Sequence, residues 1–262
     1  MKRVLITGAN SYIGMSFEKW MTEEHPGEFD IYTVDMRGNT WREKDFSGYD
    51  VVFHVAGIAH QRETKRNFKL YYQVNRDLAI ETANKAKQQG IKHFIIMSSM
   101  SVYGRDEGVI RKADLPNPKS HYGKSKWQAD RMIEKLENEK FKIAIIRPPM
   151  VYGEGCKGNY RLLNKFALMS PICPDYKNYR SMIFINNLCG YLYKIIKNEE
   201  RGLFFPQDKE YICTSDLVKK ISNVNGRNIK MVKFANPFIS LGIKIRIKLI
   251  KKIFGNLVYE KE

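Results

Sequence analysis

Short apolar runs recur through the first half of the chain, and stretches with helical spacing lie between them. The runs are Val4-Leu5-Ile6-Thr7, Phe29 to Val34, Tyr49 to Val55, Ile91 to Met97 and Ile143 to Ile146. Each is nearly continuous in apolar character, as strands buried on both faces are. Met15 to Thr22, Leu70 to Gln89 and the segment from Tyr122 to about Lys140 carry the helical pattern, and Gly90 closes the second of these. Strand and helix in alternation predict an α/β fold, a doubly wound parallel sheet of Rossmann-like type with its site at the carboxyl ends of the strands. After Gly155 the pattern loosens into short helices and proline loops, which predicts a smaller C-terminal part.

The chemistry sits where the strands end. The first run leads into Gly8-Ala9-Asn10-Ser11-Tyr12-Ile13-Gly14, a tight turn that aims backbone N–H groups and a helix N-terminus at a pyrophosphate. The second run ends in Asp35, 21 residues after Gly14, the spacing of a carboxylate that bonds an adenosine ribose. A glycine string alone is a weak signal, whereas strand, turn, helix, strand and acid together are specific. The third run closes in Ala56-Gly57, small residues that let backbone pass close to a cofactor. His54, inside that run, reads as a core histidine. His60, just beyond it, is a candidate for facing substrate, although an exposed loop position accounts for it equally well. Asn75 lies within a helical pattern, which is unfavourable unless its amide bonds a neighbouring loop.

The fourth run delivers Ser99 to its end. A helix then presents Tyr122 and Lys126, four residues apart and so on one face. A lysine beside a tyrosine favours the phenolate and lowers its pKa from about 10, as a base working near neutrality requires. Ser99 can bond the same substrate oxygen and steady its changing charge. With 15 tyrosines and 45 lysines and arginines in the chain, this spacing alone would describe an ordinary solvated helix face.

Composition narrows the picture. At 262 residues and 43% hydrophobic content the chain has enough material for one large domain with a small appendage. Its four cysteines lack metal-ligand spacing and read as reduced thiols of a cytoplasmic protein. The run after Met1-Lys2-Arg3 is too short for a signal peptide, and no stretch is long enough to span a bilayer. The net charge of +17 is spread along the chain without a nucleic-acid-binding motif, which argues against nucleic acid. It leaves attraction to an anionic substrate or membrane open. In the segment from Ile239 to Phe254 five cations and no acid mix with aliphatic residues. As a helix, it would set Lys244, Lys248, Lys251 and Lys252 opposite Ile243, Ile247, Ile250 and Phe254. The alternation from Ile243 to Leu249 fits a strand as well. A helix here either packs on its own protein or rests peripherally on an anionic membrane.

Taken together, TGANSYIG (Thr7 to Gly14), Asp35, HVAG (His54 to Gly57), SSMSVYG (Ser98 to Gly104), YGKSK (Tyr122 to Lys126) and RPPMVYG (Arg147 to Gly153) resemble the extended short-chain dehydrogenase/reductase family. Within that family they resemble the nucleotide-sugar epimerases and reductases. The resemblance covers almost the whole chain. It implies an NAD-binding domain over 1–155 and a substrate-capping part over 156–262. It implies Ser99, Tyr122 and Lys126 as catalytic residues. The cofactor would be NAD, lined by Gly8, Ser11, Tyr12, Ile13, Gly14, Asp35, Arg37, Asp45, Phe46, Ala56, Gly57, Ile58, Asn75 and Pro149 as well as Tyr122 and Lys126. Asp45 and Phe46 would meet the adenine. His60, Ser99, Asn159 and Arg180 would meet a UDP- or dTDP-hexose.

Two departures bear on the reaction. Ser11 replaces the middle glycine of the family's turn, and its hydroxyl is able to bond a phosphate oxygen. Met100 and Ser101 stand where the family's dehydratases carry Asp-Glu, so dehydration is not expected. The expected activity is epimerisation at the fourth carbon of the sugar, in sugar-nucleotide or cell-surface polysaccharide metabolism. The alternatives are reduction of a 4-keto sugar nucleotide with NAD(P)H and a catalytically silent NAD-binding sensor or scaffold. A homodimer remains open as a further partner.

Overall fold

In a computed structural model the described residues are 1–59, 63–156 and 158–261. The chain divides into two compact units. The first comprises Met1–Gly104, Pro116–Pro149 and Phe184–Pro206, and the second comprises Arg105–Leu115, Met150–Ile183 and Gln207–Glu262.

The first unit is a six-stranded sheet. Its strands, in chain order, are β1 (Lys2–Thr7), β2 (Phe29–Val34), β3 (Val51–His54), β4 (His93–Met97), β5 (Lys142–Ile146) and β6 (Gly202–Phe204). Across the sheet the order is β6-β5-β4-β3-β1-β2, with every pair parallel. Helices cover both faces, as the near-continuous apolar strands require. On one face Leu5, Val52, Phe94, Ile96, Ile143 and Ile145 pack with Ala79, Ala83 and Ala86 of the helix Leu78–Gln88 and with Ala129 and Ile133 of the helix His121–Glu134. The small alanines let that helix lie close to the sheet. The first helix, Tyr12–Glu24, packs beside the helix Ile185–Asn198, and Phe17 meets Phe53 edge-on.

The α/β architecture with a central parallel sheet is therefore as expected, with adjustments to its helices. The helix expected from Leu70 begins at Phe68 and contains a single π turn, Gln73–Asp77. Such turns interrupt helices mostly where a side chain has a task, and Asn75 sits in this one. The Tyr122 helix ends at Glu134 rather than near Lys140. There Asn138 accepts the Lys140 amide at 2.9 Å and its backbone pairs with Phe141, turn chemistry that stops the helix.

The second unit has its own core of Ala167, Cys173, Met182, Leu217, Val218, Ile221 and Ile229. Two parallel strand pairs frame it, Lys230–Val232 with Ile172–Pro174 and Leu257–Tyr259 with Gly108–Ile110. The C-terminal segment, which the pattern left between one helix and a strand, is instead two helices, Asn236–Lys244 and Lys248–Phe254. They are separated at Arg246, whose φ of 63° is incompatible with a continuing helix. Among the described residues no helix is long and apolar enough to cross a membrane.

Candidate active site

All the side chains in this section up to Pro149 belong to the first unit. Gly8 closes β1 with φ 120°, and a Cβ there would stand 2.7 Å from the Ala56 amide nitrogen, so only glycine fits. Asn10 follows in the left-handed region at φ 65°, a conformation asparagine tolerates. Ser11 is the N-cap of the first helix, its hydroxyl oxygen accepting the Gly14 amide at 3.2 Å. That bond uses an acceptor lone pair and leaves the O–H able to donate to a phosphate. Tyr12 and Ile13 are the first two residues of the helix, the end at which a helix's backbone N–H groups have no intrahelical carbonyl to meet. The cradle thus fits a pyrophosphate.

Asp35 follows β2 and is bound by its neighbour. It accepts the Arg37 amide at 2.9 Å and the Arg37 Nε at 2.9 Å, and the guanidinium holds the carboxyl below its usual range. Asp45 is exposed and accepts both the amide and the hydroxyl of Ser47 at 2.8 Å. Phe46 is wholly buried in the core, and its amide donates to Gln89 Oε1 at 2.6 Å. Its side chain therefore belongs to the core and not to an adenine surface.

Asn75 performs the task expected of it. Its Oδ1 accepts the Ile58 amide at 2.8 Å, while its Nδ2 donates to the Ile58 carbonyl at 3.0 Å and to Ser125 Oγ at 3.3 Å. One buried amide thus ties the loop Ala56-Gly57-Ile58 to the Tyr122 helix. Gly57 runs close beneath it: a Cβ there would lie 2.9 Å from Asn75 Oδ1 and 3.3 Å from Lys126 Nζ. Asn75→Ala is expected to strand the Ile58 amide and carbonyl, costing about 1–3 kcal/mol. Urea unfolding measures it, and an unchanged midpoint would show that water replaces the amide.

Ser99, Tyr122 and Lys126 come together at the carboxyl end of β4. Ser99 is close enough to the Tyr122 phenol to draw its pKa partly back down. Burial has the larger effect, however, and the phenol stands above its ordinary value. The Asp130 and Tyr71 charges add to that rise, and the Lys126 ammonium donates to the Met97 carbonyl at 2.8 Å. Burial pushes that ammonium down to about 8, against the pull of Asp130. His54 is a core residue, its Nδ1 2.7 Å from Thr7 Oγ, but its buried Nε2 has no partner among the described residues. Burial and the nearby Lys126 charge press its pKa down to about 3, so the ring is neutral.

Two supports escaped sequence reasoning. Glu63 caps the Tyr122 helix, accepting the amides of His121 at 3.1 Å and Tyr122 at 2.9 Å. Behind Lys126 lies a buried ion pair: Asp130 Oδ2 accepts from Arg147 Nε at 3.0 Å and from Ser98 Oγ at 2.8 Å. Arg147 also donates to the Tyr103 hydroxyl at 2.8 Å, and its guanidinium faces the Tyr103 and Trp127 rings. The Asp130 carboxyl, with Oδ1 unpartnered among the described residues and burial dominant, is raised to about 6. The Lys126-to-Asp130 spacing of four residues was a readable signal, since it places the acid on the same helix face. Nothing local pointed to Arg147 or Glu63 as partners.

Pro149 is buried just after β5. Asn159 and Arg180 belong to the second unit. Asn159 is the exposed first residue of the helix Asn159–Met169. Arg180 is half-buried and donates to the Gly255 carbonyl at 2.8 Å. His60 lies outside the described residues.

Residues 4–202 match the NAD dependent epimerase/dehydratase family. The UDP-glucose 4-epimerase of Vibrio cholerae is 28% identical, over 97% of this chain and 83% of its own length. The N-acetyl-alpha-D-glucosaminyl-diphospho-ditrans,octacis-undecaprenol 4-epimerase of Escherichia coli O157:H7 is 26% identical, over 91% and 77%. Among solved structures, the UDP-glucuronic acid 4-epimerase of Bacillus cereus, in complex with NAD, superposes with a TM-score of 0.73 at 17% identity, covering 98% of this chain and 87% of that one. A dTDP-4-dehydrorhamnose reductase of Clostridium acetobutylicum gives 0.72 at 20% identity, covering 88% and 83%. The two structural likenesses concern the fold, while the sequence match over residues 4–202 takes in the glycine turn, the Tyr122 helix and the sheet from β1 through β5, ending at the first residue of β6. The chain belongs to the NAD-dependent epimerase/dehydratase family.

Proposed function

We propose that the protein is an NAD-dependent epimerase acting at the fourth carbon of a UDP- or dTDP-linked hexose. The observation that carries this reading is the gathering, within one unit, of a glycine cradle, a ribose-type carboxylate and the group Ser99, Tyr122 and Lys126. NAD, when bound, supplies a reversible acceptor of hydride. Gly8 to Gly14 hold its pyrophosphate, Asp35 the adenosine ribose and Lys126 the nicotinamide ribose. Tyr122, once ionised to the phenolate, takes the proton of the sugar's 4-hydroxyl and returns it to the same oxygen. Ser99 donates to that oxygen as its charge changes. Met100 and Ser101 offer no acid for loss of water, which supports an exchange of configuration over dehydration.

The test is incubation of the purified protein with UDP- and dTDP-hexoses, with and without added cofactor, followed by separation of the sugars. Interconversion of a 4-epimer pair without net consumption of NADH is expected. One-way consumption of NAD(P)H with a 4-keto sugar nucleotide would replace the reading with a reductase, the activity named for the Clostridium structure. No turnover of any sugar would leave a cofactor-binding sensor or scaffold.

The cofactor preference follows from Asp35. Its carboxylate repels a 2′-phosphate, so NAD(H) is expected to bind roughly tenfold more tightly than NADP(H). Arg37, held on that carboxylate, moderates the effect, and Arg37→Ala is expected to widen it. Titration of both cofactors decides the matter, and tighter binding of NADP(H) would assign the phosphate to Arg37.

A further inference from the structure

The C-terminal helix pair presents its apolar surface on two sides. Inward, Ile239 and Gly242 are buried, Gly242 packs directly against Ile250, and Phe254 meets Tyr176 edge-on. Lys251 pins the second helix to Glu107 at 2.6 Å, and Asn178 and Arg180 bond the carbonyls of Ile253 and Gly255. The pair is therefore held by defined contacts within its own unit. Outward, Phe238, Leu241 and Ile245 follow one another at helical spacing, with Phe234 in the turn before them and Ile247 and Leu249 after. These six side chains are between 44% and 72% exposed. Six large apolar side chains exposed together on one helix pair form a patch of the kind that marks an interaction surface.

The charge around these side chains has one sign. Between Asp216 and Glu260 the chain carries ten cations and no acid. Lys233, Lys244, Arg246, Lys248 and Lys252 are exposed beside the apolar residues, and among the described residues none of the five pairs with an acid. We infer that this helix pair docks on the surface of an anionic lipid bilayer, the apolar side chains entering the acyl boundary and the cations meeting lipid phosphates. A second copy of the chain fits poorly, because it would bring the same cations face to face with no acid to meet them. Nucleic acid would satisfy the cations and leave Leu241, Ile245, Ile247 and Leu249 in water.

Flotation of the full chain with vesicles tests the inference, using phosphatidylcholine alone and phosphatidylcholine with 30 mole per cent phosphatidylglycerol (about a third anionic lipid, enough to give a strong surface potential). Binding to the anionic vesicles at low salt is expected, weakened at least about tenfold on pure phosphatidylcholine. Each exposed cation is expected to contribute about fivefold, so Lys248→Glu with Lys252→Glu should abolish binding. Phe238→Ser with Leu241→Ser should also abolish it while leaving the thermal unfolding midpoint unchanged, since both side chains already face water. A full chain that stays unbound at low salt overturns the inference. So does binding that survives the apolar variant, which would mean adsorption by general charge. Self-association without lipid that is lost in the apolar variant would assign the patch to a second copy instead.

Discussion

Tyr122→Phe is expected to lower turnover of the sugar nucleotide by roughly 10²- to 10⁴-fold, the range over which a positioned acid–base group acts. Cofactor affinity should stay within about twofold, because the ring and its packing are kept. The phenol is the only oxygen removed, and the edge-on contact with Tyr71 survives. Ser99 remains beside the empty position, but a serine hydroxyl has no comparable tendency to ionise. Steady-state assays with a fluorescence titration of cofactor separate the two effects. Near-normal turnover would remove Tyr122 from the reaction. A parallel loss of cofactor binding would make its role structural.

The second large effect is on stability. Asp130→Ala leaves the Arg147 guanidinium, 4% exposed, without its carboxylate. Breaking a buried pair from one side costs about 3–5 kcal/mol, since the remaining charge keeps its desolvation penalty. The Tyr103 hydroxyl and the two aromatic faces offset only part of this. Asp130→Asn, which keeps the shape, should be milder and reports on chemistry. Asp130 holds the Lys126 pKa up, so neutralising it should move the deprotonation of Lys126 below its present value of about 8. The alkaline limb of the pH–rate profile would then shift to lower pH. Denaturant unfolding measures the first variant and the pH profile the second. An unmoved profile would show that Asp130 supports only the fold.

What local pattern reveals and what it conceals divide cleanly here. The apolar runs, the glycine turn, Asp35 and the four-residue step from Tyr122 to Lys126 are properties of neighbouring residues, so the α/β fold and the candidate site were legible from them. Asn75 was legible for a similar reason, because an amide in mid-helix needs a partner; the partner, Ile58, was not. The state of the site depended on contacts between distant segments. Burial is the largest influence on the Tyr122 phenol, and no local rule reports how dry a side chain will be. The Glu63 cap joins residues far apart in sequence, and Arg147 meets Asp130 only because β5 brings it behind the Tyr122 helix. The same holds for the course of the chain: β6 is three residues long, and its signal is too short to announce that 184–206 returns to the sheet. At the C-terminus the sequence by itself determined a segment rich in cations and aliphatic residues. Tertiary packing decided that it breaks at Arg246, which faces were buried, and which apolar side chains were left in water.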